Sequence, residues 1–197
     1  MTQPASAACV AEAPPLPQGV ELWPLTPHRD DRGSFTELFR AAWPMGFEPA
    51  QWGHLMSDPG VLRGMHVHPV HDEFITVTNG RVFVALKDLR PHSPTYLMAA
   101  QLIMAEDEPA LLRLPHGVAH AFYAATQASV LIAASREYDP GDDLGCHWSD
   151  PALGIDWPCT APILSERDRT APRLQALIEQ LARCERPPTG RSPMAPP

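Results

Sequence analysis

The densest chemistry in this chain lies in one stretch, residues 64–80, GMHVHPVHDEFITVTNG. His66 and His68 are two apart in a strand-like run, a spacing that points both imidazoles to the same face. Glu73 follows five residues after His68, and His71 lies two residues before it. Much farther on, LPHGVAH supplies His120, presented by a turn that Pro115 and Gly117 shape. Three imidazoles and one carboxylate brought together would suit a borderline divalent ion such as Zn²⁺, Fe²⁺, Mn²⁺ or Ni²⁺. The expected ligands are His66, His68, Glu73 and His120.

Such a site needs a rigid frame, and most of the chain reads as strands. Short alternating or apolar runs recur, among them VELWPL, SFTELFR, AQWGHLM, EFITVT, RVFVALKDL, YLMAAQLIM, ALLRLP, HAFYA and SVLIAAS. Turn residues separate them, the pattern of an all-β sandwich or barrel. Asn79-Gly80 predicts a tight hairpin in which the two flanking runs pair antiparallel. One segment differs. In APRLQALIEQLARCE, Leu174, Leu177, Ile178 and Leu181 recur at helical spacing, which predicts a C-terminal helix with Thr170 as its cap and Pro172 in its first turn. Residues 1–17 and 186–197 lack periodicity and are expected to be disordered, leaving one domain over 18–185.

A chain of 197 residues suits one buried core, and 24 prolines argue against an all-helical fold. The formal charge of −8, with no basic run, argues against nucleic acid as a partner. No apolar stretch approaches the ~20 residues that cross a bilayer. The first residues also lack the basic start and apolar run of a signal peptide, so a cytoplasmic protein without a membrane partner is expected. Cys9, Cys146, Cys159 and Cys184 show no Cys-x-x-Cys spacing and are expected to be free thiols.

His66-x-His68-x4-Glu73-x6-Gly80, followed by Pro115-x-Gly117-x2-His120, resembles the two cupin motifs, whose named residues bind metal. The second motif lacks its upstream glycine and carries Ala124 where asparagine is common. A longer resemblance, over roughly residues 19–170, is to the dTDP-4-dehydrorhamnose 3,5-epimerases. DDRGSFTELF, GVLRGMH, GRVFVALKDLRPHSPTY, LRLPHGVAHAF, YDPGDDLGCHWSDPALGIDWP and LSERD occur in that family's order. The resemblance implies a jelly-roll homodimer acting on a nucleotide-linked 4-keto-6-deoxyhexose. It makes His66 the base that takes the proton beside the keto group, and Asp168 the carboxylate that orients it. It also implies that Arg32, Glu37, Gln51 and Arg63 hold the sugar nucleotide, with Arg167 and Asp142 at the far end and Tyr138 near the nucleotide.

Two departures fall on the chemistry. The family's proton-donating tyrosine aligns with Ile132, and its lysine near the developing enolate aligns with Glu73. His68 stands where the family usually has glutamine. An anion beside a forming oxyanion opposes the reaction, since losing even one oxyanion stabiliser costs ~3–4 kcal/mol. A divalent ion bound to Glu73 would restore the missing positive charge. Yet an imidazole that ligates metal cannot also abstract a proton. His66 is therefore either base or ligand, with His71 as the alternative base and Tyr138 as a late proton donor. Three functions stay open: a metal-assisted 3- or 3,5-epimerase, a metal-dependent cupin dioxygenase, or a non-catalytic sugar-nucleotide binder. Plainer roles compete at single positions. Asp168 could cap the final helix, Arg32 and Glu37 could form a cross-strand pair, and Trp148 and Trp157 read as packing.

Overall fold

Period-two alternation decides the architecture. In Glu73–Asn79 (β6) and Ala128–Ala134 (β11), Ile75, Val77, Val130 and Ile132 turn to one face, while Phe74 and Ala133 turn to the other. The computed structural model, which describes residues 15–44 and 46–184, arranges such runs in two five-stranded antiparallel sheets packed face to face. The first sheet runs β1 (Glu21–Pro24), β9 (Ala110–Leu114), β6, β11 and β4 (Gln51–Ser57). The second runs β12 (Leu144–Gly145), β5 (Val61–Val67), β10 (Val118–Ala124), β7 (Arg81–Asp88) and β8 (Ala99–Ala105). A small hairpin, β2 (Pro27–Asp30) with β3 (Gly33–Thr36), joins neither.

The result is the all-β sandwich that the strand pattern implies, and the cupin jelly roll that the resemblance implies. Its core lies between the sheets, with Ile75, Val77, Leu112 and Leu114 meeting Val84, Leu86, Val118 and Phe122. Each such side chain contributes ~1.5–3 kcal/mol on burial. Outside the second sheet, Leu174, Leu177 and Leu181 of the C-terminal helix α2 (Leu174–Cys184) cover Met65, Val67, Ala119 and Ala121. Trp148 and Trp157 meet edge to face at 5.6 Å beside this helix-covered face, which is a packing role.

Several expectations need correction. The runs around Asn79-Gly80 do not pair: β6 belongs to the first sheet and β7 to the second. Gly80, at φ 75°, turns a corner between sheets, where a Cβ would lie 2.3 Å from the Gln127 carbonyl oxygen. The SFTELFR strand stops at Thr36, so Glu37 lies beyond it. Thr170 ends the short helix α1 (Glu166–Arg169) instead of starting α2, whose Leu174 N–H is accepted by Asp150 Oδ2 at 2.9 Å. Residues 15–17 are ordered, with Pro17 buried and Leu16 packed on the core, against the disorder expected there. Residues 1–14 and 186–197, the rest of the two expected disordered ends, lie outside the described residues.

One irregularity positions the site. Arg63 and His66 are three residues apart, so on a regular strand they would face opposite sides. The β5–β10 register pairs His66 with His120 but Arg63 with Phe122, a bulge that turns both side chains inward. Gly64 sits inside that bulge at φ 125°, and a Cβ there would lie 2.5 Å from Ala121 Cβ and 2.8 Å from the His120 carbonyl oxygen. Gly64→Ala is therefore expected to destabilise the protein by ~2 kcal/mol or more. Urea denaturation checks this, and a wild-type midpoint would show that β5 can take another path.

Candidate active site

Where the apolar core stops, a cavity of about 290 Å³ opens between the two inner faces. Alternation supplies its walls: Gln51, Gly53 and Leu55 from β4, Glu73 from β6, Ile132 and Ala134 from β11, Arg63 and His66 from β5, and His120 and Phe122 from β10. Connecting segments add His68, His71, Arg136, Tyr138 and Asp143, and helix α1 adds Arg167.

On one wall, His66 Nε2 lies 2.7 Å from Asp168 Oδ1. The carboxylate accepts, so the proton belongs on Nε2 and the lone pair on Nδ1. Asp168 lies within α1, where its backbone N–H is capped by the Ser165 hydroxyl at 3.1 Å. It does not cap α2. Burial pushes the Asp168 pKa up, but the contact with His66 together with hydrogen bonds from Ser165 and Gly64 outweighs this and holds it below the usual carboxylate value. A buried carboxylate on one ring nitrogen fixes the tautomer and strengthens the other nitrogen as a base.

Across the cavity floor stands a second cluster. Glu73 is only 7% exposed. His120 Nε2 lies 3.3 Å from its Oε2, while His68 Nε2 and His71 Nε2 lie 3.6 Å and 3.7 Å from its Oε1. Donor atoms of His68, Glu73 and His120 all fall within 4.8 Å of one another. Burial alone would raise the Glu73 pKa, but the surrounding imidazoles bring it down to about 2. Burial lowers His120 to about 4, so at neutral pH it is an uncharged imidazole with a lone pair to offer. Glu73 Oε2 and His120 Nδ1 are buried without a hydrogen-bond partner.

Asp142 backs this cluster. Its carbonyl oxygen is 3.0 Å from His68 Nδ1, and its Oδ2 is 2.5 Å from His71 Nδ1. Both acceptors place protons on Nδ1 and leave the Nε2 lone pairs toward Glu73. Lone pairs facing a carboxylate need a positive charge among them, so the donor set fits a divalent cation. A proton on His71 is the competing counter-charge: burial opposes it, but the carboxylates of Glu73 and Asp142 outweigh that and raise the His71 pKa.

Several expected roles change. His66 stands apart from the trio of His68, Glu73 and His120, and its Nε2 is engaged by Asp168. His71 precedes β6, not on its strand face, and is wedged between two carboxylates; it is not placed as a free base. Asp142 contacts no cavity space, since its Oδ1 accepts the Val70 N–H at 3.0 Å and its Oδ2 holds His71. Arg32 and Glu37 do not reach the cavity; they pair with Asp30 and Arg40, each at 2.5 Å, and not with each other.

Gln51, Arg63, Tyr138 and Arg167 do line the cavity. Arg63 donates to the Ser57 hydroxyl and the Met56 carbonyl, neither of which cancels its charge. Arg167 is paired with Asp143, with Nη2 to Oδ1 at 2.7 Å. Sequence reading missed Arg136 and Asp143. The signals were their closeness to Tyr138 and the neighbouring position to Asp142. Ile132 lines the cavity where the family's tyrosine aligns, and offers it no proton.

Comparison with known proteins identifies the family. The family model described as dTDP-4-dehydrorhamnose 3,5-epimerase matches residues 17–176. The dTDP-4-dehydrorhamnose 3,5-epimerase of Streptomyces griseus is 37% identical over 165 residues, covering 79% of this chain and 82% of that relative. The dTDP-4-dehydrorhamnose 3-epimerase of Streptomyces niveus is 35% identical over 167 residues, covering 79% and 81%. Among solved structures, ChmJ, a 3'-monoepimerase from Streptomyces bikiniensis in complex with dTDP-quinovose, superposes with a TM-score of 0.78 at 29% identity, covering 86% of this chain and 90% of that one. With the family matched across nearly all of the described fold, the chain belongs to the dTDP-4-dehydrorhamnose 3,5-epimerase family.

Proposed function

We propose that this protein is an isomerase that inverts a carbon beside the keto group of a nucleotide-linked 4-keto-6-deoxyhexose, with His66 as its base. The His66–Asp168 hydrogen bond at 2.7 Å, set in the cavity wall, carries this reading. His66 Nδ1 takes the proton from the carbon next to the ketone, and the electron pair left behind moves to the keto oxygen. Asp168 stabilises the imidazolium that forms. Arg63 presents a guanidinium suited to the diphosphate. A divalent cation held by His68, Glu73 and His120 would supply the positive charge that a lysine aligned with Glu73 would otherwise bring.

Reprotonation must come from the opposite face. With an apolar side chain at Ile132, Tyr138 at the cavity mouth is the proton donor we assign. The lost hydroxyl favours inversion at C3 alone.

The same reading makes the protein a homodimer. Strand β4 is a sheet edge with Trp52 and Met56 exposed, and such an edge invites pairing with another chain. A second copy would let the free-standing β2–β3 hairpin bring Arg32, with Glu37 just after it, to the neighbouring cavity. A cytoplasmic setting fits the free Cys146, Cys159 and Cys184.

Proton NMR of dTDP-4-keto-6-deoxyglucose in D2O tests the chemistry. Enzyme is expected to exchange the C3 proton and not the C5 proton, and His66→Asn or Asp168→Asn is expected to slow this by ~100-fold or more. Exchange at neither carbon contradicts the reading. Under the same assay, Glu73→Lys is expected to lose its divalent ion without gaining activity; a faster Glu73→Lys enzyme would contradict the role given to the cation. Light scattering is expected to return a dimer mass, and a monomer at micromolar concentration would remove the assembly proposed for Arg32 and Glu37.

A further inference from the structure

Building on the cation reading of the preceding section, we infer that His71, not His66, completes the ion's donor set, and that Asp142 is the positioning residue that aims two of its imidazoles. The set is then three histidine Nε2 atoms and one carboxylate, supplied by His68, His71, His120 and Glu73. It differs from the His66-containing quartet that motif spacing suggests.

Geometry carries this in three steps. First, the three Nε2 atoms surround one carboxylate, at 3.6 Å and 3.7 Å from Glu73 Oε1 for His68 and His71, and 3.3 Å from Oε2 for His120. His71 stands beside the tighter trio, on the Oε1 side. Second, a metal-binding imidazole normally donates its other N–H to a carboxylate or carbonyl oxygen. Asp142 provides one of each, its carbonyl oxygen to His68 and its Oδ2 to His71, and the two rings stack at 4.1 Å. Third, among the described residues the ion-pair contact of His66 is with Asp168 and not with Glu73, whereas His71 reaches Glu73.

Two further observations point to a ligand. Glu73 Oε2 is a buried polar atom without a hydrogen-bond partner, on a side chain more than nine-tenths buried. Charge also balances, because two buried carboxylates, Glu73 and Asp142, match one divalent cation among neutral imidazoles. Three nitrogens and one oxygen suit Zn²⁺ and its first-row neighbours better than Mg²⁺ or Ca²⁺, which favour all-oxygen shells.

The full-length protein, stripped with chelator, should be titrated with Zn²⁺ against a chromophoric competitor and separately loaded with Co²⁺ for visible absorption. Wild type is expected to bind one Zn²⁺ per chain. His71→Gln is expected to bind ~100-fold more weakly, and Asp142→Asn ~10–100-fold more weakly, each with an altered Co²⁺ spectrum. His66→Asn is expected to keep wild-type affinity and spectrum within about threefold while failing in proton exchange. Circular dichroism confirms that each variant is folded, and the Co²⁺ spectrum separates a donor change from general loosening. Unchanged binding by His71→Gln, loss of the ion in His66→Asn, or a wild type that takes up no ion would each overturn the inference; the last outcome leaves a protonated His71 as the counter-charge. A protein that exchanges C3 protons without binding ion defeats this inference and the cation role it rests on, and leaves the epimerase reading standing. One that binds ion as described without exchange upholds it and defeats the epimerase reading.

Discussion

An anion almost out of reach of water dominates this cavity. Ionised Glu73 cannot stay buried without compensation, and everything near it is arranged to that end. His120 approaches from β10 of the opposite sheet, while His68 and His71 approach from the segment joining β5 to β6. A lysine at this position would need no such company. Placing the acid there obliges the protein to gather imidazoles, and gathered imidazoles with lone pairs facing inward are what a divalent cation needs.

The fold then keeps two kinds of chemistry apart within a few residues. His66 and His68 lie two apart on the same inner face, yet each is captured by a different carboxylate-bearing segment. Asp168, on α1, takes the first ring, and Asp142, in the turn Pro140–Asp142, holds the second through its backbone carbonyl. One imidazole has its Nε2 held by a carboxylate, as the proposed base requires, and the other points its Nε2 at Glu73. Sequence alone leaves His66 either base or ligand; the Asp168 carboxylate on its Nε2 supports the base proposed here.

Legibility followed the range of the physics involved. Strand alternation and the helical spacing of Leu174, Leu177 and Leu181 are local, so the all-β class and the C-terminal helix could be read directly. The inward cluster of His68, Glu73 and His120 also follows from spacing on strands. Asn79-Gly80 was misread because a turn dipeptide sets local backbone angles but not which sheet the next strand joins. The resemblance implies that Arg32 and Glu37 hold the sugar nucleotide; in the single chain they do not line the cavity, because reach depends on where the hairpin sits in space. Asp142 and Asp143 are adjacent, and only the fold shows that the first holds histidines while the second faces the cavity. The β5 bulge, invisible to a period-two count, brings Arg63 and His66 to one side.

Diffraction from crystals of the zinc-loaded protein, collected on both sides of the zinc absorption edge, tests the division of labour most directly. The account predicts one anomalous peak per chain, within bonding distance of His68, His71, His120 and Glu73, with His66 still hydrogen-bonded to Asp168. A peak bonded to His66, or none at all between the histidines and Glu73, would contradict it.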